Sequence, residues 1–275
     1  MKSIVILYHK NCFDGFGAAY AAWKKFKNKA DYIGVEHQAP PPKNLKNKEV
    51  YMVDFSYPLE QMKQISKQAI LTVIDHHISA EASAKCGQNY LYDLNHSGAV
   101  LSWQYFHAKK SVPRLLRHIE DIDLWKFKIP NTKKLMAALD IYDFSFEIYD
   151  KIAKDFENAK KRKKYIEAGD VLLKYRQKLI DKLASQADKV KIKNFSGLAV
   201  NSPVLQSEIG HALVEKGAPV GIIWSQRNGK RRFSLRSNHG VDVSELAGYF
   251  GGGGHKSASG FSLDADEPLP WKFIK

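Results

Sequence analysis

Cysteine is scarce in this chain, and so is any long apolar segment. The 275 residues include two cysteines, Cys12 and Cys86, and no Cys-x-x-Cys pair, which excludes a disulfide framework. No apolar run approaches the roughly 20 residues that span a bilayer. The short apolar N-terminus leads into His9 and Lys10, which is not typical of a signal peptide. We therefore expect a cytoplasmic protein without membrane contact.

Acidic residues are also few compared with basic ones. Lys and Arg number 43 against 29 Asp and Glu, which gives a formal net charge of +14. An excess of this size indicates a polyanionic partner such as nucleic acid or a phosphorylated metabolite. A Lys-rich genome would give the same surplus on an ordinary solvated surface, so charge alone leaves both interpretations open.

Short apolar segments alternate with helical patterns in the first half of the chain. Three of them, Ile4–His9, 49–54 and 69–75, have the continuous Val/Ile/Leu composition of strands that are buried on both faces. Helical segments between such strands predict a parallel sheet. Each segment ends in His or Asp, and parallel sheets bind ligands beyond the carboxyl ends of their strands. The sequence therefore predicts a polar site at that edge.

The pattern changes after residue 143. A long Lys-rich helical stretch covers 144–189, and its basic face is either a solvated surface or a nucleic-acid site. The remaining residues, 190–275, predict one strand over 190–200, then further strands and short helices, and a hairpin at Asn228-Gly229, a dipeptide that suits a type I′ turn. We predict a larger domain over 1–143, a helical linker over 144–189 and a smaller domain over 190–275.

Histidine and aspartate side chains gather at four places in the first domain, namely His9 with Asp14, Asp54, Asp75-His76-His77, and Asp121 with Asp123. Taken singly, each has an ordinary explanation as a helix cap or a hydrogen-bonded core residue. Taken together, they suit a borderline divalent ion such as Mn²⁺, Co²⁺ or Zn²⁺. Two such ions about 3.5–4 Å apart clamp the attacking and leaving oxygens in phosphoester displacement.

Two motifs at opposite ends of the chain resemble those of a known family. Asp75-His76-His77 after Ile74 is similar to the signature of the DHH phosphoesterases. The segment 250–261 (FGGGGHKSASGF) is similar to the glycine-rich motif of the C-terminal domain associated with their first subfamily. The occurrence of both motifs in this order is highly specific for this family.

This resemblance implies an α/β fold, in which an N-terminal parallel-sheet DHH domain is joined by a helical linker to a smaller α/β DHH-associated domain. It places the active site in the cleft between the two domains. Members of the family include RecJ-like single-strand exonucleases, nanoRNases that degrade very short RNAs, and cyclic-dinucleotide phosphodiesterases. They usually use two Mn²⁺ ions.

The resemblance also implies roles for single residues. Asp54 corresponds to the carboxylate that bridges the two metals, and His76 to a ligand of the second one. His77 faces the substrate phosphate, while Asp75 supports the histidines or lies at the edge of the metal site. The other implied metal ligands are His9, Asp14 and Asp121, with Asp123 as the neighbouring alternative to Asp121.

The first motif departs from the family pattern. The family usually has two aspartates after the histidine, whereas His9-Lys10-Asn11-Cys12-Phe13-Asp14-Gly15 contains one. If Asp14 matches the second aspartate, Cys12 stands in place of the first. Cys12 is then either a thiolate ligand or a residue that only fills space, and the number of bound ions depends on which it is.

Substrate-binding residues are expected in both domains. Ser97 precedes a predicted helix and either offers its hydroxyl to the substrate or caps that helix. In the second domain, the glycine run is either a flexible loop or a nest of backbone N–H groups for a phosphate. The substrate-binding residues that we predict are Ser97, Arg236, Gly252, Gly253, Gly254 and His255.

The prediction is a Mn²⁺-dependent phosphodiesterase or exonuclease that hydrolyses short single-stranded RNA or DNA to mononucleotides, as nanoRNases do. Mg²⁺, Co²⁺ or Zn²⁺ are alternative ions, and a monomer or homodimer is expected. One alternative function is hydrolysis of cyclic or linear dinucleotides. Another is a non-catalytic basic protein that binds nucleic acid, with a metal site that has decayed at Cys12.

Overall fold

The computed structural model describes residues 2–36, 39–238 and 240–274. The chain divides into two compact units, Met1–Leu173 and Lys174–Lys275. The division falls inside a single long helix, so the predicted boundaries of the linker at 144 and 189 stay predictions. Among the described residues, no helix is both long enough and apolar enough to cross a bilayer.

The first unit contains five strands and most of the helices. The strands are β1 (Ile4–His9), β2 (Ala30–Val35), β3 (Glu49–Val53), β4 (Ile70–Asp75) and β5 (Asn89–Tyr92). The helices are α1 (Phe13–Phe26), α2 (Leu59–Gln68), α3 (Glu81–Ala84), α4 (Gly98–Phe106), α5 (Arg114–Asp123), α6 (Thr132–Leu139), α7 (Phe146–Glu157) and α8 (Ala159–Ser185), which continues into the second unit.

The predicted parallel sheet is confirmed. Its strands follow the order β2-β1-β3-β4-β5, and every described pair of neighbours is parallel. The strands that follow β1 in the chain lie on opposite sides of it, with β2 on one side and β3 on the other. Such a reversal opens a crevice at the carboxyl ends of the two central strands, which is where open parallel sheets bind ligands.

Burial on both faces explains the continuous apolar composition of the central strands. On β1, Ile6 packs against the helices α1, α4 and α5 on one face, whereas Val5 and Leu7 pack with Met52 and Ile65 on the other. The edge strand β2 is only half-buried along most of its length, so it lacks a continuous apolar run, and the sequence patterns did not reveal it.

The second unit is built on a mixed sheet. Its strands are β6 (Asp188–Ile192), β7 (Phe195–Asn201), β8 (Val220–Arg227), β9 (Lys230–Ser237), β10 (Gly253–His255), β11 (Ala258–Asp264) and β12 (Lys272–Phe273), and its short helices are α9 (Gln206–Glu215) and α10 (Val243–Gly248). The order is β10-β11-β9-β8-β7-β6-β12, in which β7 and β8 are parallel and the other described pairs are antiparallel.

Two turns in this sheet test the sequence predictions. The hairpin at Asn228-Gly229 is confirmed, because both residues have the positive φ of a type I′ turn, 52° and 71°. The single strand predicted over 190–200 is wrong. The chain turns at Lys193, whose φ is 50°, so this segment forms the antiparallel pair β6 and β7.

Candidate metal centre

Strand register brings three predicted site residues side by side. Tyr8, Val53 and Ile74 are paired across β1, β3 and β4. His9, Asp54 and Asp75 are the next residues along these three parallel strands, so they reach the same edge of the sheet. This edge is the crevice created by the reversal of strand order at β1.

Asp54 turns sharply away from the sheet at the end of β3. Its φ is 63°, in the left-handed region that Asp tolerates better than most residues, while its N–H still donates to the carbonyl oxygen of Ile74 at 2.9 Å. The residue is 1% exposed, and neither carboxylate oxygen has a hydrogen-bond partner among the residues that the structure describes. Strained backbone of this kind concentrates at functional sites.

The side chains of four further residues surround Asp54. His76 Nε2 lies 3.2 Å from Asp54 Oδ1, 3.7 Å from Asp14 Oδ2 and 3.6 Å from Asp123 Oδ2. On the other side of Asp54, His9 Nδ1 lies 3.7 Å from Oδ2. Asp14 reaches the cluster from the first turn of α1, and its Oδ1 accepts a hydrogen bond from the N–H of Ala99 in α4.

Several polar atoms at the centre of this cluster are buried and find no hydrogen-bond partner within the described part of the chain. They are Asp14 Oδ2, both carboxylate oxygens of Asp54, and His76 Nε2. A buried polar atom without a hydrogen bond costs on the order of 1–3 kcal/mol. Such atoms converging on one point, most of them on carboxylates, fit a bound cation.

Burial and neighbouring groups shift the pKa values of the cluster in different directions. Burial, together with the neighbouring charges of Asp54 and Asp123, raises the pKa of Asp14 well above its usual value. Burial alone would also raise the pKa of Asp54, but its contacts with His76 and His9 outweigh burial and lower it. The contacts of His9 with Asp54 and Cys12 raise the His9 pKa to about 10. The negative charge of Asp54 contributes to the raised pKa values of both Asp14 and His9.

The possible metal ligands among the described residues form three overlapping groups. Within each group, the ligand atoms lie within 4.8 Å of one another. These groups are His9 with Cys12 and Asp54, Asp54 with His76 and His77, and Asp14 with His76 and Asp123. Carboxylate oxygens and imidazole nitrogens suit Mn²⁺ and related divalent ions. Because Asp54 and His76 each belong to two groups, the arrangement fits a centre in which neighbouring ions share a ligand.

Asp75 does not join these groups and instead orients the two histidines that follow it. The residue is fully buried, and its Oδ1 accepts hydrogen bonds from the N–H groups of His76 and His77 at 2.7 and 3.2 Å. His77 Nδ1 lies 2.8 Å from the same oxygen, and Ser56 Oγ donates to Oδ2 at 2.6 Å. The hydrogen bond to Asp75 raises the pKa of His77. Asp75 was expected either to support the histidines or to lie at the edge of the metal site. These hydrogen bonds favour the supporting role.

The structure does not bring Asp121 into the cluster. Its carboxylate faces the opposite way and accepts hydrogen bonds from Lys128 N at 2.7 Å, Ile129 N at 3.1 Å and Thr132 Oγ1 at 2.6 Å. Asp123, two residues further along α5, contacts His76 instead. The structure therefore places Asp123, and not Asp121, beside the other possible metal ligands, while Asp121 holds the loop that joins α5 to α6.

Two glycines allow the cluster to form, and the sequence patterns did not single out their role. A Cβ on Gly98 would lie 2.6 Å from Asp54 Cβ, 2.7 Å from Asp54 Oδ1 and 2.9 Å from Asp14 Oδ2. A Cβ on Gly15 would collide with the backbone of His9. Both glycines stand beside residues of the predicted site, at Asp14-Gly15 and Ser97-Gly98, and this adjacency is the signal that could have identified them.

Ser97 lies directly before α4 and is completely buried. Its Oγ accepts a hydrogen bond from the N–H of Val100 at 3.5 Å, so the structure places it as the cap of α4. Its N–H donates to Glu120 Oε2 at 3.0 Å, which also lies 2.9 Å from His96 Nδ1. A contact between Ser97 and a substrate stays a prediction.

A pocket of about 530 Å³ opens beside the cluster in the first unit. His9, Asp54 and His77 line this pocket, and Phe55, Tyr57, Pro58 and Gln61 are among its other lining residues. This volume lies in the range of small-molecule sites, and apolar walls with a few polar groups are typical of them.

The predicted substrate residues of the second unit lie at one end of its sheet. The second half of the glycine run lies in β10, which pairs with β11 through Gly253 with Gly260 and His255 with Ala258, whereas Gly251 and Gly252 precede the strand. Gly252, Gly253, Gly254 and His255 are exposed. On β9, Arg236 is half-buried and donates from Nη2 to Ser207 Oγ at 2.7 Å and from Nη1 to the carbonyl oxygen of Leu235 at 2.8 Å.

Comparison with known proteins identifies the family. Residues 188–270 match the DHHA1 domain. Oligoribonuclease NrnB of Bacillus subtilis (strain 168) is 42% identical over 65 residues, which are 23% of this chain and 16% of NrnB. The DHH triplet stands at the candidate metal centre. The chain belongs to the DHH phosphoesterase family.

Two further comparisons place this DHH protein among its relatives. Uncharacterized protein R106 of Acanthamoeba polyphaga mimivirus is 32% identical over an alignment 288 residues long. This alignment covers 94% of this chain and 67% of R106. RecJ from Thermus thermophilus, solved in complex with Mn²⁺, superimposes with a TM-score of 0.55 and 16% identity over 95% of this chain and 49% of RecJ. The RecJ comparison supports the expected two-domain α/β fold.

Proposed function

We propose that this DHH protein is a metal-dependent phosphodiesterase that hydrolyses short single-stranded oligonucleotides to mononucleotides. The observation that carries the proposal is the set of buried, unpartnered carboxylate and imidazole atoms of Asp14, Asp54 and His76 beside the 530 Å³ pocket. The sequence similarity to an oligoribonuclease supports oligonucleotides as the substrate class.

Five residues would hold the metal, namely His9, Asp14, Asp54, His76 and Asp123. Mn²⁺ is the ion that we expect, because three of these five residues are aspartates and the other two are histidines. Divalent ions at such a centre supply Lewis-acid stabilisation of the charge on the phosphoryl oxygens. Both carboxylate oxygens of Asp54 would be available to hold an ion, Oδ1 on the side of His76 and Oδ2 on the side of His9.

His77 is the residue that would contact the scissile phosphate. Asp75 fixes the orientation of its ring through Nδ1, so the other ring nitrogen is directed away from Asp75. The raised pKa of His77 favours the imidazolium, which attracts a phosphate and has a proton to donate. Asp75 is therefore a positioning residue, because it acts through His77.

The rest of the substrate would be held by groups outside the metal centre. Phe55 and Tyr57 in the pocket wall provide apolar surface for a nucleobase. In the second unit, exposed backbone of the glycine run, His255 and the guanidinium of Arg236 are suited to a phosphate. The net charge of +14 favours a polyanionic substrate as well.

The test is a digestion panel with the full-length chain in Mn²⁺. It compares labelled RNA of two to five nucleotides, a long single strand, cyclic dinucleotides and adenosine 3′,5′-bisphosphate. We expect the short RNAs to be hydrolysed fastest. Preference for a cyclic dinucleotide would replace the substrate assignment, and binding of RNA without any metal-dependent turnover would contradict the enzyme assignment.

Variants test whether the panel activity comes from this site. Asp54→Ala and His76→Ala should abolish hydrolysis with the fold retained, whereas Asp143→Asn, an exposed carboxylate of the same unit, should keep it. Near-normal turnover of Asp54→Ala in Mn²⁺ would show that the proposed metal centre is not the site of hydrolysis.

A further inference from the structure

The two ends of the metal centre differ in chemical character. At one end, Asp14, His76 and Asp123 offer two carboxylates and one imidazole. At the other end, Cys12 Sγ, a ring nitrogen of His9 and a carboxylate oxygen of Asp54 lie within 4.8 Å of one another. Oxygen-rich sites suit Mn²⁺, whereas sites that contain thiolate and imidazole select ions such as Zn²⁺.

The local structure presents the sulfur of Cys12 to the cluster. Asn11 has a φ of 59°, which turns the chain between His9 at the end of β1 and Cys12 at the start of α1. The carbonyl oxygen of Cys12 accepts the first helical hydrogen bond, from Phe16 N at 3.0 Å, but its side chain makes no capping bond.

A second observation, independent of the cysteine, indicates a ligand at this end. Asp54 Oδ2 is buried, has no hydrogen-bond partner in residues 2–36, 39–238 and 240–274, and lies 3.7 Å from His9 Nδ1. A cation between these groups would satisfy the carboxylate oxygen, the imidazole and the sulfur at once.

We propose that Cys12 is a thiolate ligand, so that His9, Cys12 and Asp54 form a position that selects a zinc-class ion next to a manganese-class position formed by Asp14, His76 and Asp123. The centre then holds two chemically different ions. This inference rests on the metal site of the proposed function, but it is independent of the substrate and of the reaction.

The test uses Co²⁺ as a spectroscopic probe of the metal-free full-length chain. A cobalt ion bound to a thiolate shows a sulfur-to-metal charge-transfer band in the near ultraviolet, and a cobalt ion with only oxygen and nitrogen ligands does not. We expect the band in the wild-type chain and in Cys86→Ser, and its loss in Cys12→Ser and Cys12→Asp. Cys86 is the matched control, because its sulfur contacts the carbonyl oxygen of Ala82 instead of the cluster.

Absence of the band in cobalt-loaded wild-type protein would overturn the proposal, and so would its persistence in Cys12→Ser. Thermal unfolding and circular dichroism of each variant show whether the fold is intact. Cys12→Asp supplies a second readout, because it replaces sulfur with oxygen at the same place. It should lower Zn²⁺ affinity by roughly tenfold or more and raise Mn²⁺ affinity, and unchanged affinities for both ions would also overturn the proposal.

The outcome can be distinguished from that of the proposed function. If the band appears but no member of the digestion panel is hydrolysed, the thiolate ligand stands and the oligonucleotide assignment fails. If the panel shows hydrolysis but the band is absent, the enzyme assignment stands and Cys12 is a space-filling residue.

Discussion

Asp121 and Asp123 lie two residues apart at the end of α5, yet the structure gives them opposite roles. Asp121 accepts two hydrogen bonds from the loop that follows and one from Thr132 at the start of α6, whereas Asp123 Oδ2 lies 3.6 Å from His76 Nε2 at the candidate metal centre. Replacing each by Asn removes the charge at nearly constant volume. The first change should therefore affect folding stability, and the second should affect metal binding.

The expected loss for Asp121→Asn follows from its three bonds. Hydrogen bonds to a charged group contribute about 1.5–3 kcal/mol each, and the amide of Asn keeps one acceptor oxygen, so we expect a loss of about 3 kcal/mol. At roughly 2–4 °C per kcal/mol for a unit of this size, the Tm of the metal-free protein should fall by about 6–12 °C. Its Mn²⁺ affinity should change little.

Asp123→Asn should show the reverse. Its charge adds to those of Asp14 and Asp54, so its removal should leave the Tm of the metal-free protein unchanged or higher. Its Mn²⁺ affinity should fall by more than the roughly 10–100-fold typical of losing a group that only supports a ligand.

The assay measures Tm in chelator and Mn²⁺ binding by calorimetry for both variants and the wild-type chain. The assignment is refuted if Asp121→Asn binds Mn²⁺ weakly at an unchanged Tm while Asp123→Asn binds it normally. Loss of Mn²⁺ binding in both variants, with Tm unchanged in both, would place both carboxylates at the metal.

Three further predictions concern other parts of the molecule. Gly98→Ala places a methyl group 2.6 Å from Asp54 Cβ and should weaken Mn²⁺ binding at least about tenfold. In the control Gly248→Ala, the new methyl group has no described atom within 4 Å, so this variant should bind Mn²⁺ normally in the same calorimetric titration. Burial lowers the pKa of His118 to about 4, so the contribution of neutral His118 to stability is complete above pH 6.5 and is lost as the pH falls from 6.5 through 4. At 1.36 kcal/mol per pKa unit, the stability lost is about 3 kcal/mol. The Tm of His118→Gln should therefore fall less between pH 7 and 4 than the Tm of the wild-type chain. Arg236→Ala should lower kcat/KM for short oligonucleotides by about 10- to 100-fold but leave bis-p-nitrophenyl phosphate hydrolysis unchanged, and equal losses on both would show that Arg236 supports the fold.

The strand ends of the metal centre were predictable because they depend on local pattern. β1, β3 and β4 are buried on both faces, so their apolar runs stand out, and the polar residue that ends each run is visible in the sequence. Parallel pairing then requires His9 and Asp54 to meet at one edge of the sheet.

Other parts of the centre depend on geometry that a pattern does not contain. Two residues that are two positions apart on a helix differ by about 200° of rotation around its axis, so they face nearly opposite directions. Which of Asp121 and Asp123 faces the metal depends on how α5 is rotated against the sheet. The role of Gly98 depends on how closely α4 approaches Asp54 at the end of β3, which is a contact between segments far apart in the chain.

Among the described residues, Asp14 Oδ2 and both carboxylate oxygens of Asp54 have no hydrogen-bond partner, so an ion bound by them would make folding of the first unit respond to metal supply. An ion present at 100 times its dissociation constant adds about 2.7 kcal/mol to the stability of the folded state. A shift of that size alters the unfolded fraction about 100-fold, and unfolded chains are the ones that proteases remove. Metal starvation would thus lower the amount of this protein in the cell as well as its activity, which couples its abundance to metal homeostasis.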